Sequence, residues 1–175
     1  HPARVVTSIA MLYDLEDPAS FIGDIADILD EEGIWIAEQS YLPTMLERNS
    51  FDQIAHEHLC YHSLETLERL ATEQGLRLFG AELNEINGGS LRCWFCKDAS
   101  RFKDVGELRK IKDTEMSLHL DQMEIYRAFR ERVLSIRSEL YDTIHKVNRL
   151  GKKTYLYGAS TKGNTILQFC GLNHR

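Results

Sequence analysis

The chain has 175 residues, 43% of them apolar and 27% charged, with a formal net charge of −6. That is material for one globular domain and part of another, and the acidic balance argues against a nucleic-acid partner. No apolar run approaches the ~20 residues of a membrane-spanning helix, no signal peptide is visible, and Cys60, Cys93, Cys96 and Cys170 do not look like a disulfide framework; a cytoplasmic, reducing setting without a membrane partner is expected.

The acid is unevenly placed. Residues 1–62 hold twelve Asp and Glu but only Arg4 and Arg48 as bases, an asymmetry read as solvated helix faces. "RVVTSIAML" is β-branched and apolar, as in a buried parallel strand. Asp17 and Pro18 then read as N-cap and first residue of a helix. Phe21, Ile22, Ile25, Ile28 and Leu29 have helical spacing, and Gly33 is expected to close the helix. "IWIAEQS" is the next buried strand, giving a strand–helix–strand unit with a right-handed crossover.

A polar loop is expected over 41–62. Ser63 caps the following helix, with Thr66 where a full capping box would carry Glu or Gln. Leu64, Leu67, Leu70 and Ala71 share a face, and Gly75 ends the helix. "LRLFGAELNEI", the turn "NGGS" and "SLRCWFCK" predict an antiparallel hairpin. A parallel α/β sheet that finishes this way has the order of the second half of the class I methyltransferase fold. Beyond Val105, Met123, Tyr126, Phe129, Val133, Ile136, Leu140, Ile144 and Val147 recur at three- and four-residue steps. They predict one or two long amphipathic helices, a connector packed on the core or a self-associating surface. After Gly151, "TYLYGASTKGNTILQFCGL" reads as a short strand, a glycine-containing loop and a helix.

Three histidines fall within seven residues in "HEHLCYH", 56–62. A zinc site needs three or four converging ligands. His56 and His58 face one way only on an extended segment, His58 and His62 only on a helix, and the Glu57 spacing is not that of a zincin. Acid–base chemistry is the stronger reading, because ligands bind outside the carboxyl ends of strands in open α/β sheets and this loop follows "IWIAEQS". Histidine has a pKa suited to proton abstraction near neutrality. A metal-dependent hydrolase and a merely solvated loop remain open on these residues alone. Cys93 and Cys96 have CxxC spacing but sit on opposite faces of a strand, as structural cysteines. "YGASTKGNT" at 157–165 could hold phosphate on backbone amides, or be a tight turn; it is neither a Walker A sequence nor GxGxxG.

"SYLPTMLERNSFDQIAHEHLCYHSLETLERL", "ELNEINGGSLR" and "YGASTKGNTILQFCGL", in this order, resemble the S-adenosylmethionine-dependent C-methyltransferases of nucleotide-linked 4-keto-deoxysugars. The resemblance implies three domains: an N-terminal zinc-binding domain, a central methyltransferase domain and a C-terminal Rossmann-like domain. Residues 1–100 would be the C-terminal half of the central domain, 101–150 a helical connector, and 151–175 the truncated start of the last. The fold class so implied is α/β, the second half of a class I Rossmann-like sheet ending in an antiparallel hairpin, followed by a long helical connector and the start of a second Rossmann-like unit.

The same resemblance implies that Glu57 and His58 are the catalytic pair, with His58 the favoured base. His56 and Asn87 would contact the sugar, and Ser160, Lys162 and Asn164 the nucleotide-sugar or its phosphates. The resemblance also implies a Tyr, carried by many relatives, where this sequence has Ala55, so any role of that hydroxyl would be lost or moved. The glycine-rich loop and the acidic residue that would hold S-adenosylmethionine are absent from this sequence, as are the zinc cysteines. The chain therefore reads as a piece cut at both ends, expected by itself to bind cofactor poorly and to be inactive. The competing expectation is a non-catalytic nucleotide-sugar-binding or scaffold module.

Overall fold

A computed structural model describes residues 1–158 and 160–172; Ala159 of the glycine-containing loop and residues 173–175 at the end of the last predicted unit lie outside the described residues. An open five-stranded mixed sheet has the order β1-β2-β4-β3-β5. β1 (Ala3–Ile9) and β2 (Leu29–Ser40) are parallel, joined by α1 (Pro18–Ile28). Asp17 caps α1 by accepting from the Ser20 amide at 3.0 Å, with Pro18 in the first turn, as the sequence predicts.

α1 ends at Ile28, earlier than expected. Leu29 already belongs to β2, and Gly33 lies inside that strand rather than at a helix end. Gly33 is needed there for close approach: a Cβ would meet the Ala3 carbonyl oxygen at 2.7 Å. Val5 and Ile9 point to the face of the sheet opposite the main core and are exposed, so the expected burial applies to one face only.

α3 (Leu64–Thr72) follows the Ser63 cap, whose hydroxyl accepts from the Thr66 amide at 3.1 Å. β3 (Leu76–Asn84) and β4 (Ser90–Lys97) form the expected antiparallel hairpin, and β4 enters between β2 and β3. The turn between them is longer than a two-residue hairpin turn. It contains one 3-10 turn, Ile86–Gly88, with Asn87 at φ 54°. Cys93 and Cys96 are free, buried and on opposite faces of β4.

The main core lies on one face of the sheet. Trp35 and Phe95, stacked with centroids 4.6 Å apart, meet Ile22, Ile25, Leu64, Leu67, Leu91 and Ile111 there. β5 (Val105–Gly106), a two-residue strand parallel to β3, leads into α4 (Leu108–Ser117). It is too short to give a sequence signal.

The amphipathic stretch divides into α4 and α5 (Met123–Arg149). Only part of the α5 stripe is covered: Phe129 and Val133 are buried, whereas Met123 is exposed. "TYLY" forms no strand among the described residues. Tyr155, Leu156 and Tyr157 are exposed, because a lone extended segment without a pairing neighbour leaves its backbone to water. α6 (Thr161–Cys170) follows, capped by Ser160, whose hydroxyl accepts from the Gly163 amide at 3.2 Å.

Segment 41–62 departs most from expectation. It is a folded excursion, with α2 (Leu42–Arg48) and a 3-10 turn at Phe51–Gln53. Met45, Leu46 and Phe51 are buried against Phe129 and Val133 of α5, with Ile166 and Phe169 of α6 alongside. These apolar residues are spaced too irregularly to register as a helix, but tertiary contact with α5 and α6 makes them a second small core.

Candidate functional site

The histidine segment lies over the carboxyl ends of β1 and β2. Beyond the end of β1, the Tyr13 carbonyl accepts from the amides of Leu59 and Cys60, at 2.8 and 3.1 Å. The His58 ring packs on the Tyr13 ring, centroids 4.3 Å apart, with Tyr61 at 6.4 Å. Tyr13, Ser40, Tyr41, Leu42, Met45 and His58 line a small cleft there. His58 is half-buried. A half-buried imidazole beside an aromatic ring is a candidate general base.

Glu57 turns the other way. Its Oε2 lies 3.3 Å from Nδ1 of the largely exposed His56, and its Oε1 accepts from Thr161 Oγ1 at 3.2 Å. The Glu57 carboxyl is held below the usual carboxylate range, chiefly by its own backbone amide, with His56, Thr161 and His58 assisting and partial desolvation opposing. The carboxylate and the imidazole of the expected pair thus have separate neighbours, as side chains of adjacent residues often do.

The first turn of α6 joins these pieces. Thr161 reaches Glu57, and Lys162 Nζ donates to the Asn87 carbonyl at 3.0 Å. Ile54, Ala55, His56, Glu57, Thr161 and Asn164 contribute to a cleft of about 470 Å³ between the histidine segment and α6. His56, Glu57, Asn164 and Lys162 are therefore gathered around one side of the molecule, with Asn87 joined through Lys162. Ser160 is occupied by its capping bond. Ala55 lines the cleft.

The turn carrying Asn87 is pinned from beneath. Arg48 of α2 pairs with Glu85 and donates to the Gly88 carbonyl at 3.2 Å. Gly89, at φ 122°, sits so close to Thr44 that a Cβ would collide with that side chain.

His62 is not with the other two histidines. It is buried, and desolvation lowers its pKa below the ordinary value while a backbone contact at Leu12 opposes. Among the described residues, no three His, Cys, Asp or Glu side chains are grouped to hold a metal. No helix among them is long and apolar enough to cross a membrane.

Residues 85–175 match the family described as the C-methyltransferase C-terminal domain, just over half of the chain. The chain belongs to the C-methyltransferase family. Residues 2–79 match a methyltransferase domain, so the sheet up to β3 and the segment with α4 to α6 fall under two adjoining descriptions. C-methyltransferase NovU of Streptomyces niveus is 29% identical over 173 residues, 99% of this chain. The chain spans 41% of that curated relative's length.

Solved structures resemble part of the chain more distantly. LepI in complex with SAM superposes with a TM-score of 0.47 and 16% identity, over 56% of this chain and 27% of that one. Magnesium protoporphyrin IX methyltransferase from Synechocystis, with bound SAH, gives 0.43 and 10%, over 56% and 47%. At such scores they add nothing to the reading of the site.

Three contributors escaped the sequence reading. Tyr13 lies beyond the first strand, where the strand-end rule points. Thr161 stands in the glycine-containing stretch beside the expected Ser160, Lys162 and Asn164. Glu115, described below, carries no local signal.

Proposed function

We propose that this chain is the methyl-acceptor side of a C-methyltransferase that acts on a carbon next to the ketone of a nucleotide-linked keto-deoxysugar. The observation that carries this reading is the position of His58: half-buried, its ring tilted against that of Tyr13, and at the carboxyl ends of two parallel strands. His58 removes the proton from the carbon beside the ketone, and the charge spreads onto the keto oxygen as an enolate. The Tyr13 ring limits the motion of the imidazole, which keeps the base aligned with that carbon. S-adenosylmethionine, when bound in the longer protein, supplies the methyl group.

β1 is followed by a 3-10 turn, Leu12–Asp14, among the described residues and not by a glycine-rich turn at a helix start. The zinc expected in an N-terminal domain concerns residues outside this sequence.

Glu57, His56 and Asn164 line the cleft beside α6, and Lys162 lies next to Asn87. We assign this side to the nucleotide-sugar, with Lys162 the cation for a phosphate and His56 and Asn87 near the sugar. Ser160 offers a hydroxyl at the same helix start.

The test uses the longer enzyme that contains this chain. His58→Gln should abolish methyl transfer while S-adenosylmethionine binding persists. Near-normal turnover would overturn the assignment. Titration of the 175-residue chain with a nucleotide-sugar and with S-adenosylmethionine separates the enzyme from a sugar-binding module: tight sugar binding together with full transfer by His58→Gln favours the module.

A further inference from the structure

The segment that carries His58 leaves the body of the protein at Tyr41 and returns at Ser63. Its neck is closed by one backbone bond, from the Leu42 amide to the His62 carbonyl at 3.1 Å. Both sides of that neck also converge on a single carboxylate from α4. Glu115, 6% exposed, accepts from the Tyr41 hydroxyl at 2.6 Å, the Leu64 amide at 2.7 Å and the Glu65 amide at 2.8 Å. The contacts join residues 74, 51 and 50 positions apart in the chain.

A buried carboxylate is costly unless charge-assisted donors surround it. Here it has three, and two are free amides of the first turn of α3, where the helix field also favours an anion. Desolvation, followed by the bond to Glu115, pushes the Tyr41 phenol far above its ordinary value, so it remains a donor. Ser63 already caps α3 through its hydroxyl. The reach to Tyr41 is thus more than helix capping: it ties the outgoing end of the segment to the returning end. Tyr41 also lines the small cleft that contains His58.

We infer that Glu115 is a positioning residue that clamps the two ends of the His58 segment and so fixes the imidazole over the strand ends. This rests on the proposed role of His58, and the consequences of the two can be separated. Tyr41→Phe removes one arm of the clamp and leaves both amide bonds of α3. In the longer enzyme it should lower kcat by about tenfold or more with KM for the methyl donor unchanged, since small misplacements of a reacting group are costly. Amide hydrogen exchange over 42–62 should quicken while 64–72 remains protected.

Glu115→Gln keeps the shape but places an amide NH₂ against donors. It should give the same kinetic pattern more strongly, with some loss of protection at the start of α3. Unchanged exchange over 42–62 in both variants overturns the clamp. Faster exchange with unchanged kcat overturns the assignment of chemistry to this segment, and the positioning role with it.

Discussion

Thr161 Oγ1 donates to Glu57 Oε1 at 3.2 Å, although 104 positions separate the two residues in the chain. The bond ties the first turn of α6 to the histidine segment and helps explain why Glu57 faces α6 and not His58. Phe51 and Phe169, with ring centroids 5.1 Å apart, hold the same two elements together underneath.

Removal of that hydroxyl should therefore be felt by the carboxylate. Thr161→Val deletes a donor to the charged form of Glu57, so the Glu57 pKa should rise from its depressed position toward the ordinary value, with its own backbone amide, the largest cause, still in place. An NMR titration of the side-chain carboxyl, with Thr161→Ser as the restoring variant, measures this. An unmoved titration would show that the hydroxyl does not bond Glu57 in solution.

His62 makes the fold sensitive to mild acid. Burial lowers its pKa in the folded state below the ordinary histidine value of about 6.5, so just below that value the unfolded chain binds more protons than the folded one. Its contribution is fully present above the unfolded pKa and is lost as pH falls through the lower, folded one. Denaturant midpoints should drop as the pH falls below the ordinary histidine value of about 6.5. His62→Gln should flatten that part of the curve, whatever its effect on stability at neutral pH. An equally steep curve in the variant would assign the drop to other groups.

Trp35 should be the most costly single truncation in the sheet. It is fully buried, stacks on Phe95, and donates from Nε1 to Ser8 Oγ at 2.9 Å. Trp35→Ala empties the centre of the main core and leaves the Ser8 hydroxyl without that donor. A loss of about 3–5 kcal/mol is expected, read as a lower urea midpoint with a similar slope. A loss below ~1 kcal/mol would mean that the Trp35–Phe95 layer is not the centre of the core.

Much of the architecture was legible in the residues because its signals are local. Asp17 with Pro18, and Ser63 with Thr66, state where helices begin, since a cap satisfies amides within three residues of itself. The first strand follows from a β-branched run, and the hairpin from two largely apolar runs on either side of "NGGS". The same locality misled at Gly33, where the glycine serves close packing against Ala3 from another strand, and at "TYLY", where strand propensity met no partner.

The sequence by itself determined the type and order of most elements, the parallel-then-antiparallel sheet, and the stretches from which a site could be built. Tertiary structure alone decided that residues 41–62 form a packed excursion, because Phe51 and Met45 find their apolar partners on α5 and α6. It alone separated the three histidines, sending His58 to Tyr13, His56 to Glu57 and His62 into the interior. It alone brought Glu115 to both ends of the histidine segment. The physical reason is that side-chain direction and burial depend largely on neighbours distant in the chain, as the Leu64–Glu115 and Glu57–Thr161 contacts illustrate, and such neighbours leave no imprint on local spacing.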